Sequence, residues 1–176
     1  MKRAIVPFAI LVLLYSSSAW SQQANPNLTV GAKAKSFEAV DTDGRKIAFP
    51  ADYKGRLVML DFWATWCGPC IGEVPGLVEA YAKYHGRGFE VLGISLDQAN
   101  KLDSLLAFAK TNGMAWRQIY DGKFWDARIA RFYGIEAIPS PLLVDADSGK
   151  ILASGDSLRG PALEPTLAMA LARKGL

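Results

Sequence analysis

The sequence predicts a mixed α/β sandwich with helices on both faces of its sheet and an antiparallel edge. Three observations carry that expectation. Two near-continuous apolar runs, 57–63 and 89–95, read as strands buried on both faces. Stretches with apolar residues at helical spacing alternate with them along the chain. Short runs on either side of tight turns open and close the domain.

The elements follow in order. Residues 37–40 and 46–49 flank Asp41-Thr42-Asp43-Gly44 and predict an N-terminal β-hairpin. Tyr53-Lys54-Gly55 leads into the buried strand 57–63, which carries one acid, Asp61. After a loop, a helix runs from Pro69 to Tyr84, with Ile71, Val74, Leu77, Val78 and Tyr81 at helical spacing. Gly86-Arg87-Gly88 stops it. Beyond the strand 89–95, a helix over 101–111 places Leu102, Leu105, Leu106 and Ala109 on one stripe. A short strand is expected over 115–120 and a helix over 125–133, closing at Gly134. Runs 142–145 and 151–154 around Asp147-Ser148-Gly149 form a second hairpin, and 161–174 a terminal helix.

With 176 residues, 51% hydrophobic and 21% charged, the composition excludes wholesale disorder and fits one domain. Lys2 and Arg3, an apolar stretch from Ala4 to Tyr15 and small residues up to Ser21 read as a secretory signal peptide over 1–21. Its apolar run is shorter than the roughly 18 residues that span a bilayer. A membrane tether is expected only if this segment stays uncleaved. Residues 22–30 read as a flexible lead-in and 31–176 as the domain. Cleavage leaves 18 basic against 17 acidic residues, so charge gives no reason to expect a nucleic-acid partner. Two cysteines and one histidine cannot build an all-cysteine zinc site, nor one with a pair each of cysteine and histidine. No metal and no cofactor is expected.

Trp66-Cys67-Gly68-Pro69-Cys70 is the strongest motif. It follows a buried strand and opens a helix. Unpaired N–H groups and the macrodipole at a helix N-terminus favour a thiolate on the first cysteine. Two intervening residues let the second sulfur reach the first, and proline in the first turn loses no intrahelical bond. Cys67 is expected to be the exposed nucleophile and Cys70 the shielded resolving thiol. A static disulfide would close only a tiny loop and constrain the unfolded chain little. Half a metal site without its partners is the other bland reading. An exported chain meets an oxidising compartment, so a pair kept reactive there needs a purpose.

The run Phe62-Trp63-Ala64-Thr65-Trp66-Cys67-Gly68-Pro69-Cys70 resembles the thioredoxin superfamily, most closely the exported TlpA/ResA-type thiol–disulfide oxidoreductases. The likeness extends to Cys70-Ile71-Gly72-Glu73-Val74-Pro75, to Gly93-Ile94-Ser95-Leu96-Asp97, and to Ile138-Pro139 followed by Leu142-Leu143-Val144-Asp145. It implies a thioredoxin-like three-layer α/β/α sandwich with a mixed central sheet, an N-terminal β-hairpin and an inserted helix–strand element between Asp97 and Tyr120. It also implies roles. Asp61 matches the buried proton acceptor of the second cysteine, directly or through water. Glu73 matches an acid that tunes the cysteines. Pro139 matches a cis-proline that exposes the backbone of Ile138 for strand-like pairing with a substrate chain. Trp66 is expected to be a partly exposed platform beside Cys67. Pro141 departs from the family pattern and is expected to disturb local sheet pairing. Trp63 is read as core, Trp116 and Trp125 as packing beneath the insertion. Arg159 carries no motif.

The direction of exchange is an energy question. Thioredoxin and the periplasmic oxidant DsbA differ by about 150 mV, roughly 7 kcal/mol. Their thiolate pKa values account for roughly 5 of these. Gly68-Pro69 with two carboxylates nearby places this chain on the reducing side. The resemblance then implies a periplasmic reductant with disulfide-bearing exported proteins as substrates, such as apocytochromes c or copper-assembly factors. A DsbD- or CcdA-type membrane protein would supply the electrons. Two alternatives belong to other classes: a peroxiredoxin-like peroxidase, and a copper-binding assembly module using the thiolates as soft ligands.

Overall fold

The computed structural model describes residues 28–176. The expected signal peptide, 1–21, lies outside the described residues, as does the lead-in up to residue 27. Leu28 packs against the core. No described helix is long and apolar enough to cross a membrane.

β1 (Phe37–Val40) and β2 (Lys46–Phe49) form the antiparallel hairpin. The central sheet holds β3 (Leu57–Trp63), β4 (Phe89–Ser95), β5 (Arg117–Ile119), β6 (Ser140–Asp145) and β7 (Ile151–Ser154). Their order is β5-β4-β3-β6-β7. β3, β4 and β5 run parallel, while β6 and β7 are antiparallel to their neighbours. Every residue of β3 is buried, as a strand in mid-sheet with both faces covered requires.

The crossovers β3–β4 and β4–β5 run through α1 (Gly68–Tyr84) and α2 (Leu102–Thr111). Right-handed crossovers in one direction across a sheet put both helices on one face. Adjacent strand residues show the two faces. Trp63 packs on Phe108 of α2, ring centroids 5.6 Å apart. Phe62 packs on Tyr133 of α3 (Arg128–Tyr133) at 5.5 Å. α4 (Leu163–Lys174) packs against α1. The second face is completed by the hairpin, where Phe37 stacks on Phe49 at 5.1 Å and meets Tyr133 edge-on at 6.3 Å.

The expected helix over 125–133 is broken. A 3-10 turn spans Phe124–Asp126, Ala127 is extended, and α3 starts at Arg128. The Asp121 carboxyl accepts from the amides of Lys123 and Arg128, at 3.1 and 2.8 Å, so a side chain caps α3 where a continuous helix would need a carbonyl. The terminal helix starts at Leu163, after a 3-10 turn over Gly160–Ala162. Pro141 leaves the β3–β6 register unbroken through Asp61↔Pro141 and Phe62↔Ser140, and the register shift in β6 falls against β7, between Leu143 and Val144.

The hairpin is pinned by charge. Asp41 accepts from the backbone amides of Asp43 and Arg45, and Arg117 Nε on β5 donates to it at 2.6 Å. Asp41 is buried, yet these donors outweigh its desolvation and hold its carboxyl below the usual range.

Candidate active site

The site forms where β3 gives way to α1. Cys67 is the N-cap of α1, and Pro69 sits in the first turn. The Cys70 amide donates to Cys67 Sγ at 3.2 Å, so the sulfur takes the place of a capping oxygen. That amide and the helix dipole favour negative charge on this sulfur once it is reduced. The two sulfurs are joined, S–S 2.02 Å, with the Cα atoms 5.2 Å apart. The expected difference in exposure is absent from this oxidised state. Cys67 is 4% exposed and Cys70 3%.

Those loops are fixed from both sides. The Ile138–Pro139 peptide is cis, and Ile138 O lies 3.8 Å from Cys67 Sγ. On the other side stands Asp97, fully buried after β4. Its carboxyl accepts from Thr65 N at 3.2 Å, Thr65 Oγ1 at 2.5 Å and Ser95 Oγ at 2.8 Å. Asp97 therefore holds the loop that presents Cys67. Sequence reading quoted this residue without giving it a role; the signal was a Ser-x-Asp pattern ending a buried strand.

Trp66 is 45% exposed, and its indole N–H donates to Leu96 O at 3.1 Å. Its ring meets Phe124 at 5.2 Å and Trp125 at 5.9 Å, forming an aromatic ridge beside the disulfide. Trp125 also packs against the core, as a packing role requires, with its ring on Trp66 and Phe124. Trp116 is buried against Tyr81. Trp63 is core, and its indole N–H reaches Gln118 at 3.0 Å. Gln118 crosses over Gly93 to get there: a Cβ on Gly93 would lie 2.0 Å from Gln118 Oε1.

Behind Cys70 is a cavity of about 20 Å³, room for one water molecule. Asp61, Cys70, Glu73 and Arg159 line it among apolar side chains. Asp61 is 9% exposed, and among the described residues no hydrogen bond stabilises its charged form. Burial, with the negative charge of Glu73 second, pushes it up to about 7. A carboxyl poised there can take a proton at neutral pH and release it. Glu73 is held at the cavity rim. Arg159 Nε donates to Oε1 at 3.2 Å and Gly160 N to Oε2 at 2.7 Å. Nothing in the sequence marked Arg159, which meets Glu73 across 86 positions of chain.

The structure thus brings Asp61, Cys67, Cys70, Glu73, Ile138 and Pro139 into one site, with Trp66 at its rim. Residues 30–154 match the AhpC/TSA family. The chain belongs to that family. It is 31% identical over 166 residues to the thiol-disulfide oxidoreductase ResA of Bacillus cereus, covering 86% of this chain and 88% of that protein. The thioredoxin domain of a thiol-disulfide oxidoreductase from Bacteroides vulgatus superposes with a TM-score of 0.71 at 28% identity, over 82% of this chain and 99% of that one. A thiol-disulfide oxidoreductase from Bacteroides fragilis gives 0.69 at 28%, over 79% and 99%. The protein is a thiol–disulfide oxidoreductase with a thioredoxin-like fold.

Proposed function

We propose that the protein reduces disulfides of exported proteins in the periplasm. The observation that carries this reading is a cysteine pair at a helix start backed by a buried acid with no donor of its own. Cys67 thiolate attacks one sulfur of a substrate disulfide, forming a mixed disulfide and releasing the first substrate thiolate. Cys70 passes its proton to Asp61, directly or through one water, and its thiolate attacks Cys67 Sγ. The second substrate thiolate leaves, and the Cys67–Cys70 bridge forms. Two electrons reach the substrate, whose sulfurs take up protons. The Ile138 backbone beside Pro139 pairs with the substrate chain, and Trp66 supports its flank. A DsbD- or CcdA-type membrane donor returns two electrons to the bridge. Apocytochromes c and copper-assembly factors fit as substrates.

Glu73 does not stand beside the sulfurs as a free charge, because Arg159 offsets it. Gly68-Pro69 and the near-neutral Asp61 now carry the case for a reductant. Peroxidase chemistry calls for a hydroxyl and an arginine at Cys67. Thr65 instead spends its hydroxyl on Asp97, and Cys67 Sγ is met by Cys70 N and Ile138 O.

Trapping tests the reading. Cys70→Ser expressed in the exported compartment is expected to accumulate mixed disulfides through Cys67, seen on non-reducing gels and lost in a Cys67→Ser/Cys70→Ser double variant. Absence of such species would falsify the exchange role.

A further inference from the structure

We propose that Arg159 is a positioning residue for the proton exchange between Cys70 and Asp61, acting through Glu73. The inference rests on the reading of Asp61 as the proton acceptor.

The cavity behind Cys70 has few charged walls. α1 contributes Cys70 and Glu73, and the segment before α4 contributes Arg159. β3 adds Met59 beside Asp61, residues 139 and 141 are prolines, and α4 adds Leu163, all without charge. After burial itself, Glu73 is the charge that bears on Asp61, and Arg159 is bound to that carboxylate. Both oxygens of Glu73 are claimed, one by the guanidinium and one by the Gly160 amide. Two donors on two oxygens fix the carboxyl group in the cavity wall. Arg159 is in turn held by Asp156 at 3.1 Å, but that acid's side chain is 97% exposed and its pull is screened by water.

The consequence falls on the resolving step. Cys70 can hand over its proton only to an Asp61 that is unprotonated. The negative charge of Glu73, second to burial, opposes the ionisation of Asp61. Arg159 pairs with that carboxylate and offsets its charge. Without the guanidinium, Glu73 keeps one amide donor and no counter-charge. Asp61 then retains its proton to higher pH, and transfer from Cys70 to Asp61 waits for a more alkaline solution.

The experiment measures the initial rate of insulin disulfide reduction by the reduced full chain across pH. Arg159→Gln is expected to move the midpoint of the rising limb to alkaline pH by about half a unit to one unit. Arg159→Lys, which keeps a cation, holds the midpoint closer to native, and Asp156→Asn leaves it in place. In a Glu73→Gln background, Arg159→Gln shifts the midpoint by less than half as much. A merely structural role would lower the rate at every pH and leave the midpoint alone. The proposal is overturned if Arg159→Gln leaves the midpoint unmoved while its thermal melt stays native, or if the shift is equally large in the Glu73→Gln background. Should Arg159→Gln melt below the native protein, Arg159→Lys and the Glu73→Gln background decide by the same midpoint. Asp61→Asn separates the two readings. If the limb survives it, the proton-acceptor role and this inference both fall. If the limb vanishes but Arg159→Gln leaves the midpoint alone, only this inference falls.

Discussion

Asp61 lies in β3, which leads into the cysteine loop, and Asp97 just past the end of the neighbouring β4; both are buried, and they differ in what meets their oxygens. Asp97 takes hydrogen bonds from Thr65 and Ser95 and locks a loop in place. Asp61 faces a cavity with no donor to stabilise its charge. A buried polar group without a partner is costly, and folding alone gives no reason to keep one. The difference teaches that hydrogen-bond satisfaction, more than burial, separates an acid that builds this site from one left free to exchange a proton, the role proposed for Asp61.

The largest test of that contrast is pH. The folded value of Asp61, about 7, lies well above the ordinary carboxyl range. The native state therefore binds more protons than the unfolded chain between roughly pH 4 and pH 7. This contribution to stability is complete below about pH 4 and is lost as pH rises through the folded value, in all on the order of 4 kcal/mol. Urea unfolding of the oxidised protein at the two pH values should show the loss, and Asp61→Asn should remove most of it. Parallel behaviour of native protein and variant would break the comparison.

Asp97→Ala comes next. It leaves the Thr65 amide and hydroxyl and the Ser95 hydroxyl without their acceptor, so we expect a loss of roughly 3 kcal/mol. Asp97→Ala is also expected to slow insulin reduction by misplacing Cys67. A variant as stable as the native protein would show that the loop does not depend on this acid. Thr65→Val is the mildest. The amide bond to Asp97 survives and only the hydroxyl is lost, so about 1 kcal/mol is expected from the shift in urea midpoint.

Periodicity made most of the fold legible. Unbroken apolar runs located β3 and β4, and helical stripes located α1, α2 and α4. What it missed depends on contacts between distant segments. The break before α3 comes from the side chain of Asp121, which outcompetes a continuation that the apolar pattern favours equally well. At the site, the cysteines, Asp61 and Pro139 were visible because each is an unusual residue for its local setting: a cysteine pair at a helix start, an acid in an apolar strand, a proline before one. Arg159 had no such contrast. An arginine in a polar loop is ordinary until the fold sets it against Glu73. The near-equal burial of the two cysteines also escaped, since a residue's exposure depends on the loops that the fold packs around it.

The aromatic ridge gives the molecule an optical gauge of its own chemistry. Trp66 adjoins Cys67 in the chain, and its ring lies 5.9 Å from that of Trp125, so light absorbed by one indole is readily shared with the other. Joined sulfurs are efficient quenchers of excited indoles, and separated thiols are weaker ones. Emission should brighten each time the bridge opens, letting a fluorimeter follow electron delivery in real time without any added dye.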